Sequence, residues 1–407
     1  MPAVLDPKTS GPLFAFGKKA RTASIPWPSN HEQPKRSDVK YLHNIKEMNA
    51  EKNYINSEIN AGYTLSFPEL IALTLLEKCN FNCIMCDQNH GSDLRLAESG
   101  LDKIIDILPF AKNICLTGGE PFLYDQIDSL IENACQAQCN VYIQTNGSLL
   151  NDEKIDYIFT HRVAGLKISC DGATSSTYDT IRKGGSFRRL KASLERINDL
   201  RRKLKTPYPV LEFNFVAMQD NIFELSKLVA LAREQGVVRI NVFALLAYTE
   251  EQARKSLYFH QELSDYHVSK ARAVARELGV DLCAPPLFCE TQPAPGNEAP
   301  RVKCLSLWNH MTVNVTGEVA ICCGGAGNAG NINEMEFTEL WNHPKRAAIR
   351  ETVNTPDEPA CCRNCRMVKQ DSANPRSHIQ DPGLLETVLD KLAGEGNKHA
   401  LGALALP

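Results

Sequence analysis

Three thiols within eight residues, Cys79-Asn-Phe-Asn-Cys83-Ile-Met-Cys86, are the densest chemistry in the chain. Four thiolates complete a 4Fe–4S centre, so three leave one iron open to a small chelating molecule. The plainer reading is zinc, which takes cysteine pairs two to four residues apart, with His90 as a fourth ligand. The ligand count favours the cluster. Four more thiols, Cys304, Cys322 and the pair Cys362-Arg-Asn-Cys365, can close around a second centre, where spacing leaves zinc and iron–sulfur equally open.

The first cysteines follow a short apolar run, Ile71 to Leu76, and five more such runs come after it: 113–117, 140–145, 164–169, 210–217 and 239–245. Helical patterns separate them at 124–136, 152–159, 186–204 and 222–235, the last with Asn221 as its expected N-cap and Glu224 three residues on. Near-continuous apolar strands alternating with helices predict parallel βα units covered on both faces, and six units make a partial barrel. Reactive groups in such folds sit in loops at the carboxyl ends of strands, where Cys79 falls. Beyond a helical stretch at 263–278, strand-and-turn patterning at 311–315 and 318–322, with Thr316-Gly317 as the turn, marks a small module in need of a metal staple. Residues 1 to about 65 read as an extended arm with one or two short helices, and the tail from Pro382 as one amphipathic helix with a frayed end.

With these residues in view, the sequence resembles the radical S-adenosylmethionine (SAM) superfamily, whose signature is Cys-x3-Cys-x2-Cys. Thr117-Gly118-Gly119-Glu120-Pro121 follows the second strand, as that family's Gly-Gly-Glu-Pro loop does. The resemblance implies that this loop binds the SAM amino group. Its glycines would admit a ligand close to the backbone, and Glu120, expected to stand exposed until SAM arrives, would accept from the ammonium. Gln144-Thr145-Asn146-Gly147 and Ile168-Ser169-Cys170-Asp171-Gly172 end the next two strands, where the family places a Ser for the SAM ribose. Asn146 joins the expected SAM-binding residues on the same ground. Arg182, in Ile181-Arg-Lys-Gly-Gly-Ser-Phe187, is expected to reach the SAM carboxylate or the substrate. Met85 takes a position that is often aromatic and packs near adenine.

The later run from Trp308 through Gly317, Cys322, Gly330, Trp341 and Arg350 to Cys365 is similar to the auxiliary-cluster extension called SPASM, or twitch when shortened. Residues 366 to 407 hold no cysteine, which departs toward the single-cluster twitch form. The resemblance thus implies a partial (β/α)6 TIM-like barrel over 66–280, a SPASM/twitch module over 281–375, an N-terminal extension over 1–65 and a C-terminal helix and tail over 376–407. It implies two 4Fe–4S clusters, SAM, and an electron donor of the flavodoxin or ferredoxin type. Cys323 and Cys361, beside the expected ligands, fit either role, while Cys115, Cys135, Cys139 and Cys170 read as small buried hydrophobes.

Composition bounds the partners. A formal net charge of -3 gives no basic field to hold nucleic acid, and neither a secretory leader nor a stretch long enough to span a bilayer stands out, so the cytoplasm is expected. Fifteen cysteines there read as ligands or packed thiols rather than disulfides. The expected activity is reductive cleavage of SAM and hydrogen abstraction from a small polar metabolite, with a ribosomal peptide or protein as the alternative substrate. A non-catalytic zinc-stapled interaction protein explains the cysteines but not the strand-end motifs.

Overall fold

The computed structural model describes residues 36–88, 91–290, 302–363, 365, 378–379 and 381–399; His90, most of the expected N-terminal arm and the expected frayed end lie outside them. Six strands form where the apolar runs predict: β1 (Leu70–Thr74), β2 (Asn113–Thr117), β3 (Asn140–Thr145), β4 (Gly165–Ser169), β5 (Val210–Ala217) and β6 (Arg239–Ala244). They pair in parallel in chain order, with helices between them. One face carries Ile114, Leu116, Val141, Ile143, Leu166, Ile168, Leu211 and Phe213, all buried in the main core. The opposite, concave face has its own small apolar floor of Leu70, Ala72, Cys115 and Tyr142.

The sheet extends further than the periodicity predicts. β7 (Asp281–Cys283) adds to β6 in parallel, and it is too short and too polar to stand out in the sequence. The cysteine-rich region supplies β8 (His310–Val313), β9 (Glu318–Ala320) and β10 (Asn328–Asn331), turning at Gly317, whose φ is +87°. β8 lies parallel to β1, so the order is β10-β9-β8-β1-β2-β3-β4-β5-β6-β7 in a single ten-stranded sheet. The C-terminal module therefore continues the barrel wall instead of hanging from it.

Helix α1 (Arg36–Glu58) replaces the short helices expected of the arm. Its polar side faces inward: Lys46 Nζ donates to the Leu108 carbonyl at 3.0 Å, and Asn49 and Asn53 donate to the Phe67 carbonyl, each at 2.9 Å. These side chains satisfy carbonyls at the amino-terminal end of the barrel, while Tyr41, Met48, Ile55 and Ile59 stand exposed. Asn221 stands at the expected N-cap position, but its side chain makes no capping bond. Its amide is buried and bonds the Met218 N–H and the Asp171 and Val216 carbonyls, holding the ends of β4 and β5 together, and the following helix starts as a 3-10 turn. Among the described residues no helix is long and apolar enough to cross a membrane.

Candidate active site

The cysteine loop leaves β1 and is clamped from two sides by backbone bonds. Asn82 N–H donates to the Lys183 carbonyl at 2.8 Å and Ile84 N–H to the Ile181 carbonyl at 3.0 Å, while Gly119 and Glu120 N–H groups donate to the Leu76 and Lys78 carbonyls. A Cβ on Gly118 would lie 2.5 Å from the Leu76 carbonyl oxygen, and one on Gly119 would lie 2.2 Å from that of Lys78. The glycines are thus required by close packing of two strand-end loops, a reason the sequence does not show.

Glu120 departs further from expectation. Its side chain is fully buried, and it accepts from Thr145 Oγ1 at 2.7 Å, from Asn146 N–H at 2.8 Å and from Phe122 N–H at 3.3 Å. Burial pushes its carboxyl up against the pull of these donors. The carboxylate that was expected to wait exposed for an ammonium instead ties the end of β2 to the end of β3. Glu120→Ala should therefore cost about 2–4 kcal/mol in denaturant unfolding, because it strands buried donors. A variant as stable as the parent would remove this tie.

Through that tie the site is ordered around sulfur. Asn146, also buried, donates through Nδ2 to Asn80 Oδ1 at 2.9 Å and to Cys79 Sγ at 3.8 Å. Arg182 is buried as well, and its Nη2 lies 2.5 Å from Asp171 Oδ2 while its Nη1 donates to Cys83 Sγ at 3.7 Å. The guanidinium expected to reach a ligand is thus already engaged by Asp171 and Cys83. Asp171 is fully buried, and its other oxygen accepts from Val216 N–H at 2.6 Å. Burial pushes the Cys83 thiol up to about 11 against the pull of Arg182, and raises Cys79 and Cys86 also. Ser169, half-buried at the end of β4, makes no side-chain hydrogen bond among the described residues. Met85 packs beside Ile84 and Val216 against buried Ile181, Met218 and Leu245, an apolar wall next to the thiols.

In the C-terminal module, Cys304, Cys322, Cys323, Cys361, Cys362 and Cys365 line one cavity. Its walls are fixed by Arg350, whose Nε donates to the Leu307 carbonyl at 3.0 Å and whose Nη1 donates to the Gly62 carbonyl at 3.1 Å. Arg350 and Arg346 lie over the buried Trp341 ring. Burial pushes Cys323 up to about 11, and burial with neighbouring Cys361 pushes Cys362 up to about 12. Among the described residues no three His, Cys, Asp or Glu side chains converge closely enough for a single ion. Cys115, Cys139 and Cys170 are buried apart from this cavity, and half-buried Cys135 donates to the His161 carbonyl.

What sequence reasoning missed lies on the concave face. Gln144 is exposed there, at the centre of the sheet, and Glu212, Asn214 and Asn241 stand beside it. Their signal was present: polar residues at every second position of β5 and β6, interleaved with buried Leu211, Phe213, Ile240 and Val242.

A family model described as the radical SAM superfamily matches residues 73–216, and one described as an iron–sulfur cluster-binding domain, SPASM, matches residues 304–366. The chain is 26% identical over 318 residues to an AdoMet-dependent heme synthase of Methanosarcina barkeri, spanning 72% of this chain and 86% of that one. It is 24% identical over 328 residues to a PqqA peptide cyclase of Gluconobacter oxydans, spanning 76% and 86%. Streptococcus suis SuiB bound to S-adenosylmethionine shares the fold with a TM-score of 0.54 at 17% identity, covering 84% of this chain and 77% of that one. With both models falling on the segments that carry the two thiol groups, the chain is an enzyme that uses SAM, with a radical SAM domain over 73–216 and a C-terminal SPASM iron–sulfur domain over 304–366.

Proposed function

We propose that Cys79, Cys83 and Cys86 hold a 4Fe–4S cluster whose open iron takes SAM, and that the enzyme abstracts hydrogen from a polar organic substrate on the concave face. The observation that carries this reading is the pair of donors aimed at sulfur: the Asn146 amide at Cys79 and the Arg182 guanidinium at Cys83. Such donors favour thiolate over thiol, which is the form that ligates iron. When bound and reduced, the cluster supplies the electron that splits SAM into methionine and a 5′-deoxyadenosyl radical.

The chain's own residues bind and orient. Met85, with Ile181, Met218 and Leu245 behind it, offers adenine an apolar surface, and Ser169 offers the ribose a hydroxyl. Three donors take three of the roughly four acceptor positions of the Glu120 carboxylate, so its Oε2, together with main-chain carbonyls of the Gly118-Gly119 loop, offers the SAM ammonium an acceptor. Cys304, Cys322, Cys362 and Cys365 are the proposed ligands of an auxiliary 4Fe–4S cluster. Thiols that share a cavity without converging on a point suit a cluster several ångströms across better than one tetrahedral ion.

For the substrate, the polar concave face favours a small polar metabolite. A peptide is the second reading, supported by the likeness to a PqqA peptide cyclase across 86% of its length. Anaerobically reconstituted protein given SAM and a strong one-electron reductant should release methionine and 5′-deoxyadenosine in equal amounts. Iron-replete protein that forms neither would end the proposal.

A further inference from the structure

The concave face carries a chain of side-chain amides whose direction is set at one end. Glu212 on β5 stands in register between Lys167 on β4 and Arg239 on β6, so its carboxylate serves as an acceptor. Asn241 meets it with Nδ2, donating to Glu212 Oε2 at 3.0 Å and to Asn214 Oδ1 at 3.1 Å. Asn214, its oxygen now engaged, donates through Nδ2 to Gln144 Oε1 at 3.2 Å. An amide whose oxygen accepts must turn its nitrogen the other way. Gln144 makes no further hydrogen bond among the described residues and is exposed, so its NH2 group faces the open concavity. It directly precedes Thr145, which holds Glu120, and stands two residues before Asn146, whose amide touches the Cys79 sulfur.

We infer that Gln144 is a specificity-determining residue that receives a hydrogen-bond acceptor of the substrate, a carboxylate or carbonyl oxygen. Glu212 is the positioning residue that, through Asn241 and Asn214, fixes Gln144 as a donor. Without the carboxylate at its head the relay could run in either direction, and Gln144 would present oxygen as readily as nitrogen. The substrate class is therefore acceptor-bearing at this point, and a substrate presenting only an ammonium is disfavoured. The inference rests on the reading above that substrate occupies the concave face.

The test uses three probes on one carbon frame, propionate, propionamide and propylammonium, with ligand-observed NMR on the reconstituted, unreduced holoenzyme holding SAM. Propionate and propionamide should each bind about tenfold more tightly than propylammonium, as expected where a charge-assisted or neutral hydrogen bond is made or opposed. Gln144→Glu keeps the oxygen that Asn214 needs but replaces donor by acceptor, so the order should reverse. Glu212→Gln should flatten the discrimination while Glu212→Asp retains it, and unchanged far-UV circular dichroism in all three variants separates specificity from folding. A wild-type preference for propylammonium, equal binding of the probes, or an order unmoved by Gln144→Glu would overturn the assignment of Gln144. Full discrimination in Glu212→Gln would overturn the relay. Formation of 5′-deoxyadenosine by the wild type on reduction reports separately on the proposed function, so either idea can fail alone.

Discussion

Replacement of Cys79, Cys83 and Cys86 together by alanine is expected to abolish reductive SAM cleavage while leaving the protein folded. The loop does not depend on its sulfurs for shape. Its backbone is held by Asn82 N–H on Lys183, Ile84 N–H on Ile181 and Cys86 N–H on Cys83, and Phe81 is buried beneath it. The three thiols themselves are only half-buried, so their removal opens no large core cavity. Unfolding free energy should therefore stay within about 1 kcal/mol of the parent. Without ligands there is no iron for SAM to chelate, and methionine and 5′-deoxyadenosine should fall to background in anaerobic assays. Total iron should drop by about four per chain, since the other centre is built on a different set of thiols. Undiminished cleavage by the triple variant would remove Cys79, Cys83 and Cys86 from the proposed mechanism.

The barrel strands were legible because each is an apolar run whose alternate residues lie beneath a helix, as Ile114 and Leu116 or Val141 and Ile143 do. The strand-end motifs were legible as residue types in order. Burial was not, and burial decides what those types do. Glu120 reads as an exposed acceptor and Arg182 as a cation reaching for SAM or the substrate, yet each is enclosed and answered by a partner on a neighbouring strand end, which no local pattern reveals. Asn221 has the composition of a cap, but the Met218 N–H takes the amide oxygen that would cap the helix, while the Asp171 and Val216 carbonyls hold its NH2 group. α1 escaped because its buried side is the polar one, the reverse of the amphipathic pattern by which helices are found. β7 escaped because three residues ending in an exposed cysteine carry no periodicity. The concave face was overlooked because Glu212, Asn214 and Asn241 were absorbed into strands that read as apolar.

The second cavity yields the sharpest count. Intact protein should carry about eight irons per chain, as two 4Fe–4S centres, and replacement of both Cys362 and Cys365 should lower this to about four. Six thiols line the cavity where one cluster takes four, so two are spare. With Cys304, Cys322, Cys362 and Cys365 as ligands, single replacement of Cys323 or Cys361 by alanine should leave about eight irons, whereas Cys304→Ala or Cys322→Ala should not. About four irons and one zinc would make the site structural, and about twelve irons would make Cys283, Cys289, Cys323 and Cys361 ligands as well. The sequence alone suggests that loss of this metal unfolds the whole region from 304 to 365, for want of apolar residues. The structure narrows that expectation. Leu307, Trp308, Met311, Val313, Leu340 and Trp341 belong to the main core, and β8 is a strand of the barrel sheet. What depends on the cluster is the end of the region, where Cys361 is exposed, Cys362 and Cys365 are only half-buried, and the helix Ala360–Arg363 buries none of its residues. Limited proteolysis of the Cys362/Cys365 double variant should accordingly cut beyond Asn354 and spare β8 to β10, since their burial does not rest on metal. Cleavage within 307–341 under the same conditions would mean that the cluster, rather than the barrel sheet, holds those strands in place.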